Sequence, residues 1–243
     1  MPQSVCLPSA ILLACLAAAA QKPDTVRVVC EGALCTLSVN TFRALDAVAT
    51  ELHSRFGIPV SAENPIVQFR GDMIDASVEN PKLRPGTLVP ARWGFNVSFA
   101  IRPDGSLFDH RELLRSMVAA ANEHSGFGWR LDDNDGLFSF VATRTHDTQG
   151  RSVEATPLLD RLVTIAPGTR RINESAALMS AELSKQTGLQ VSCCESFVAG
   201  VRWGMEQMPF AAENEPARVV LRRLGMTVWH VRCDASVCFI DRR

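Results

Sequence analysis

The chain has 243 residues, of which 47% are hydrophobic, and its 25 basic and 26 acidic side chains leave a formal net charge of −1 at pH 7. This balance, without a basic block, excludes a protein that binds nucleic acid mainly through attraction to phosphates. No stretch after the leader is long and apolar enough for a transmembrane helix, so we expect a soluble mature protein without a membrane span.

The first 20 residues are typical of a secretory signal. An apolar run from about Ala10 to Ala20 is too short to span a membrane, and it ends in small residues that fit a cleavage site. We predict a signal peptide over residues 1–20 and export to the periplasm or the extracellular space. The leading residues carry no Lys or Arg, which departs from the usual pattern. The alternative interpretation is a lipoprotein signal with Cys15 acylated.

Cysteines follow the leader in an even number, which in an exported chain predicts disulfides. In the segment VRVVCEGALCTLSV, a two-residue turn at Gly32–Ala33 places Cys30 opposite Cys35 on the apolar face of a β-hairpin. A glycine at the first turn position suits a type II′ turn. We therefore predict a Cys30–Cys35 disulfide across the first hairpin.

The last hairpin has the same layout. A turn at Ala235–Ser236 places Cys233 opposite Cys238, so we predict a second disulfide there. Zinc binding by these pairs is the alternative, because their spacing lies at the upper edge of the usual zinc motif. Cys193 and Cys194 are adjacent, and they form either a strained vicinal disulfide or separate thiols, one of them facing the core.

An internal repeat divides the chain into two similar halves. A third hairpin, WRLDDNDGLFSF, turns at Asp135–Gly136 and has the plan of the C-terminal hairpin without its cysteines. The matching segments are ELHSRFGIPVS (51–61) with ELSKQTGLQVS (182–192), ARWGF (91–95) with VRWGM (201–205), and the hairpins that begin at Trp129 and Trp229. Three anchors in the same order favour a duplicated module over chance similarity.

Each copy is predicted to contain a strand, a helix, two strands, a second helix and a closing hairpin. Glycines at 57 and 188 end the first helices, and the second helices are expected at about 109–122 and 215–224. The expected fold class is α+β, with two tandem two-layer modules in which small sheets are each packed by two helices. The predicted ranges are 21–146 for the first module with an insertion at about 62–91, 147–157 for a linker, and 158–243 for the second module.

The second copy resembles the short N-terminal (STN) module of secretins and TonB-dependent receptors. The matching residues are Ala177, Leu178, Gln186, Thr187, Gly188, Leu189 and Val191 in the first helix and strand, then Val220, Leu221, Leu224, Gly225, Met226 and Thr227. The first copy is similar only from Leu45 to Val60 and in the Trp129 hairpin. Neither a secretin barrel nor a receptor barrel follows, and the cysteines are additions. The resemblance implies an envelope protein-interaction module with no catalytic residues to transfer.

No cofactor, metal or catalytic set is expected, because the histidines show no metal or hydrolase spacing and glycine-rich phosphate loops are absent. A candidate interaction surface comprises Arg92 and Trp93 with Arg202 and Trp203, although packing inside the fold is the alternative role of both tryptophans. We expect a non-enzymatic exported protein with an envelope protein partner. The alternative is a secreted protein that binds a small molecule or glycan through the insertion and the Trp/Arg strands.

Overall fold

The computed structural model describes residues 25–78, 80–193, 206–234 and 236–242, and within these ranges the fold is α+β, as predicted. The helices are α1 (Ala44–Phe56), α2 (His110–His124), α3 (Ile172–Thr187) and α4 (Ala217–Arg223). The strands are β1 (Thr25–Glu31), β2 (Leu34–Thr41), β3 (Val60–Glu63), β4 (Met73–Asp75), β5 (Leu88–Pro90), β6 (Trp93–Ala100), β7 (Trp129–Asn134), β8 (Leu137–Ala142), β9 (Arg144–His146), β10 (Ser152–Glu154), β11 (Leu162–Arg171), β12 (Gln190–Cys193), β13 (Gln207–Pro216), β14 (Trp229–Cys233) and β15 (Val237–Arg242).

Both predicted disulfides are confirmed. Cys30 lies opposite Cys35 in the β1–β2 hairpin, and Cys233 lies opposite Cys238 in the β14–β15 hairpin. Gly32 has a φ of 62°, the left-handed value that its turn position requires. The two disulfides differ in environment, because Cys233 and Cys238 are fully buried in the second core whereas Cys30 is exposed.

The first half of the chain packs its two helices between strands of two sheets. Strands β1, β2 and β6 form one sheet, and β3, β8 and β7 belong to another. Helix α1 contacts β2 and β3, while α2 contacts β6 and β7. Leu45, Val48 and Leu52 recur at helical spacing on the buried face of α1, which accounts for the position of that helix. The first half therefore contains a second sheet in addition to the one expected, and in the second half β11 and β13 form a separate sheet as well.

Both first helices end at the predicted glycines. Gly57 follows α1 with a φ of 67°, and its N–H donates to the carbonyl oxygen of His53. Gly188 follows α3 with a φ of 71°, and its N–H donates to the carbonyl oxygen of Ser184. A left-handed residue at this position reverses the chain and satisfies carbonyls at the helix end, so the next strand starts immediately.

Apart from β1, β4 and β5 of the first half, the second half has the same order of elements and corresponding strand pairings. Strand β11 pairs with β13 as β2 pairs with β6, and the parallel pairing of β12 with β15 corresponds to that of β3 with β8. The hairpin β14–β15 corresponds to β7–β8. Helix α4 is shorter than expected, because Pro216 ends β13 and stands just before the helix. An origin by duplication stays a prediction.

One six-stranded sheet joins the two halves, in the order β12-β15-β14-β3-β8-β7. The join is a parallel pairing in which His230 lies beside Ala62 and Val231 beside Glu63. Ala62 belongs to the first core and Val231 to the second. Since neighbouring residues of paired strands point to the same face, the two cores lie on opposite faces of this sheet.

The insertion and the expected linker both contain short strands. In the insertion, β4 pairs with β5 through Met73 and Pro90, and a 3₁₀ turn precedes β4 at Arg70–Asp72. Strands β9 and β10 form a small hairpin, so part of the range 147–157 is a strand instead of an open connection. The module limits themselves stay predictions.

Gly94 explains one of the repeated sequence anchors. It lies opposite Asn40 in the pairing of β6 with β2, and a Cβ at this position would collide with the carbonyl oxygen of Val39. The RWG segment of the first copy therefore reflects close approach of two backbones. Its counterpart, residues 201–205, lies outside the described residues.

We predict that Gly94→Ala lowers the free energy of unfolding by about 1–3 kcal/mol, because the added methyl group forces β6 away from β2. Urea unfolding measures the change, and Ser98→Ala, an exposed change in the same strand, is the matched control. Equal stability of the two variants would refute this account of the RWG segment.

The two disulfides are predicted to contribute unequally to the free energy of unfolding. Replacing Cys30 and Cys35 with serine removes a small closed loop and costs about 2 kcal/mol on the chain-entropy model. The same change at Cys233 and Cys238 costs more, because it also places two hydroxyl groups in the second core. Denaturant unfolding of the two double variants measures the difference, and the opposite ranking would contradict it.

Candidate functional site

The predicted surface residues of the first copy pack against other side chains of the fold. The Trp93 ring stacks on Phe95 with centroids 5.8 Å apart and lies 6.0 Å from the ring of Trp129. The Arg92 guanidinium lies over the ring of Phe42 at 4.1 Å from its centroid. Trp93 is half-buried against the first core, so its position supports the alternative packing role.

Several predicted residues lie outside the described residues. Arg202 and Trp203 belong to this group, so a surface shared with Arg92 and Trp93 stays a prediction. Cys193 ends β12 with intermediate exposure, while Cys194 is also outside the described ranges. The vicinal disulfide therefore stays a prediction, as do the signal peptide and acylation of Cys15.

A groove on the first half combines exposed apolar side chains with carboxylates. We call it the hairpin groove, because the tip of the first disulfide hairpin forms one of its walls. Its lining comprises Leu34 at the hairpin tip, residues 98–100 at the end of β6, residues 107–109 of the following loop, and Glu112, Leu113 and Ser116 of α2.

Large apolar side chains stand open to solvent at the mouth of the hairpin groove. Leu34 is 57% exposed and Phe108 is 59% exposed, whereas Phe99 and Leu113 below them are buried. Half-buried Leu107 completes the floor. Adjacent exposed apolar side chains over an apolar floor are typical of a contact surface for another molecule.

Backbone pairing of β2 with β6 holds the first disulfide hairpin beside this groove. In the pairing of β2 with β6, Leu34 lies opposite Ala100 and Cys35 opposite Phe99. The N–H of Ile101 donates to the carbonyl oxygen of Ala33, which fixes the turn to the end of β6. Leu34 therefore occupies a defined position although its side chain is exposed.

The hairpin groove carries negative charge at the start of α2. The Asp109 carboxylate caps this helix by accepting from the backbone N–H groups of Arg111 and Glu112 at 2.8 and 3.1 Å. The bond from Glu112 contributes most to lowering the pKa of Asp109 below its usual value, so this carboxylate is ionised at neutral pH. The side chain of Glu112 is exposed one turn later on the same helix.

Sequence reasoning missed the hairpin groove, although one signal was present. The predicted register of the first hairpin places Leu34 on the polar face with Thr36 and Ser38, where a large apolar side chain is out of place. Phe108 lies in a loop between β6 and α2, and no periodic pattern marks its exposure.

A second cluster of charged residues lies at the join between the halves, and its central ion pair, Arg218 with Glu63, is buried. Arg218 of α4 bonds to Glu63 at 3.0 Å, to Asp132 at 2.8 Å and to Asp160 at 2.7 Å. The indole N–H of Trp229 donates to the other oxygen of Glu63 at 3.1 Å. These contacts link β3, β7, α4 and β14, so the cluster positions the two halves instead of forming an open site.

Glu63 is a buried titratable group of this join, and its pKa is raised. Its side chain is only 2% exposed, and burial raises its pKa to about 7 against the opposing effects of Arg218 and the Trp229 hydrogen bond. The nearby charges of Asp160 and Asp132 raise the pKa further. Glu63 thus titrates in the neutral range while it remains inside the fold.

A buried histidine–aspartate pair forms the other side of the join. His230 of β14 is hydrogen-bonded to Asp46 of α1, and Arg232 donates to the second oxygen of Asp46 at 3.1 Å. Burial alone would raise the pKa of Asp46, but the hydrogen bond and charge of His230, together with Arg232, lower it. Asp46 therefore fixes α1 to the second half through a charged contact.

Comparisons of the chain with protein-family models, with curated proteins and with solved structures find no match. Among residues 25–78, 80–193, 206–234 and 236–242, no group of three or more His, Cys, Asp or Glu side chains is arranged to hold a metal ion. The helices in the same ranges include none that is long and apolar enough to cross a membrane.

We predict that Glu63 makes stability fall as pH rises through neutrality. A carboxyl whose folded pKa of about 7 exceeds its unfolded value of 4.5 binds a proton more tightly in the folded state. The stabilisation that Glu63 provides is fully present below its unfolded pKa and is lost as the pH rises through its folded pKa. The total loss of stability amounts to roughly 3 kcal/mol.

The Glu63→Gln variant isolates this effect, because glutamine keeps a hydrogen-bond acceptor for Trp229 and does not titrate. Urea unfolding between pH 5 and pH 8 should show the variant gaining stability relative to the wild type as pH rises. A difference that does not change with pH would show that Glu63 keeps an ordinary pKa.

Proposed function

We propose that the chain is an exported cell-envelope protein that acts as a non-enzymatic protein-interaction module. Disulfides at both ends of the described fold support export, because such bonds persist in oxidising compartments outside the cytosol. The secretory pattern of the leader supports the same location. Either the periplasm or the extracellular space fits these observations, and so does a lipoprotein anchored through Cys15.

The exposed apolar side chains of the hairpin groove are the observation that carries the proposed interaction. Leu34 and Phe108 are each more than half exposed, and they line one groove from two different elements. Protein contacts are usually dominated by a few apolar anchors that enter a recess, surrounded by polar side chains. The groove provides this combination, with Ser98, Asp109 and Ser116 among its polar groups.

The arrangement of secondary structure adds support of a more general kind. Apart from β1 and the insertion strands of the first half, both halves contain the order strand, helix, strand, strand, helix and hairpin, and the second half resembles in sequence the STN modules of secretins and TonB-dependent receptors. Those modules are envelope protein-interaction domains, and this chain is proposed to share that role. No reaction is assigned, because the proposal depends on contact surfaces instead of catalytic groups.

We predict that a photoreactive phenylalanine analogue at position 108 crosslinks an envelope protein in cells. The matched control places the same analogue at position 78, because Val78 is 80% exposed but belongs to the insertion and does not line the groove. The crosslink from position 108 should disappear when Leu34→Glu is introduced, since a charge at the hairpin tip disrupts the apolar contact. Mass spectrometry identifies the product.

Two outcomes would contradict the proposal. Equal crosslinking from positions 78 and 108 would show that the groove has no particular partner. Failure of both positions, together with a rise in melting temperature upon adding a small molecule or glycan, would favour a ligand-binding protein.

A further inference from the structure

The hairpin groove runs along the free edge of a β-sheet. The sheet has the order β1-β2-β6, so β6 forms one of its edges. Residues 98–100 of β6 line the groove, and Ser98 and Ala100 are exposed. An edge strand presents backbone N–H and C=O groups that another extended chain can pair with.

The register shows which backbone groups face the groove. Cys35 lies opposite Phe99, and the N–H of Ile101 donates to Ala33, so the odd-numbered residues of β6 direct their backbone groups toward β2. Backbone direction alternates along an antiparallel strand, so the N–H and C=O of Ser98 point away from β2, toward the open side.

Among the described residues, no strand pairs with the outer edge of β6, although the edge is covered just beyond its end, where Ile101 pairs with Leu107. The sequence of β6, WGFNVSFA, contains no charged residue and no proline. Exposed edges in natural proteins are usually blocked by charge, proline, a bulge or a covering element, because otherwise they pair with other chains. The open part of β6 beside the exposed Phe108 is therefore suited to accept a strand.

The charges of the hairpin groove indicate the chemistry of that strand. Asp109 and Glu112 are the charged residues that line it. Arg111 is directed elsewhere, since it pairs with Asp133 at 3.0 Å, and the guanidinium of Arg102 lies over the ring of Phe108 at 5.4 Å from its centroid. The groove thus combines apolar contacts with two carboxylates on the α2 side, and the cations close to Asp109 are His110 and Arg115 of the same helix.

We infer that the hairpin groove binds an extended segment of a partner protein, in which apolar side chains alternate with Lys or Arg, as an additional strand along β6. Apolar side chains of the segment pack against Phe99, Leu107 and Phe108, and its cations approach Asp109 and Glu112. The backbone of Ser98 supplies hydrogen bonds to the segment. This inference rests on the proposed function and specifies the partner of the same groove.

Defined peptides test the inference without knowledge of the natural partner. The probe is a fluorescent peptide of alternating lysine and valine, and matched peptides replace lysine with glutamate, replace valine with serine, or carry N-methyl groups along the edge that pairs with β6. Fluorescence anisotropy with the full mature chain should show binding of the lysine–valine peptide alone. Rising salt should weaken that binding, because part of the attraction is electrostatic.

Protein variants locate the binding. Phe108→Ser should lower the affinity for the lysine–valine peptide by about tenfold or more, and Glu112→Gln should lower it less. Ser98→Pro should abolish binding, because proline removes an edge N–H without breaking the pairing of β6 with β2. Val78→Ser is the control and should have no effect, and circular dichroism confirms that each variant is folded.

Hydrogen exchange provides a measurement that does not depend on the variants. The amide N–H of Ser98 should exchange more slowly when the lysine–valine peptide is bound. Unchanged exchange at Ser98, equal binding of the N-methylated peptide, or equal binding of the glutamate peptide would overturn the inference. If the in-cell crosslink from position 108 persists in those cases, the proposed function stands and only the strand-addition mode fails.

Discussion

The parallel pairing of β14 with β3 is the constraint on which the rest of the structure depends. It converts two small sets of strands into one sheet, and it places Glu63 beside Val231 at the boundary of the second core. A carboxylate in that position is costly unless it is neutralised or paired. Arg218, Trp229 and the neighbouring carboxylates are arranged around this single buried group.

Only one of the two sheets of the first half takes part in the join. Its strands β3, β8 and β7 have one face against α1 and α2, while Ser61 and Glu63 on the other face are buried by the second half. The sheet of β1, β2 and β6 stays on the outside of the molecule, with an open edge. The proposed interaction surface therefore belongs to the sheet of the first half that does not pair with strands of the second half.

Local patterns in the sequence were sufficient to predict much of the fold. The alternation of apolar residues around two-residue turns determines which cysteines face each other, and Gly57 and Gly188 mark helix ends because few other residues adopt the left-handed conformation. The join was not predictable in this way. Strand β3 is only four residues long and is buried throughout, so it lacks the alternation that identifies a half-buried strand. Arg218 is also far along the chain from Glu63, and no local pattern connects them.

Burial of both faces of β3 has a consequence for how the protein unfolds. Removing the second half would expose Ser61 and Glu63, and it would leave Asp46 without His230 and Arg232. Each half has its own hydrophobic core, but polar and charged side chains at the join are buried and paired only when both halves are present. The two halves therefore depend on each other to bury these side chains, and a protease cut between β9 and β10 would leave two fragments still held together by the pairing of β14 with β3.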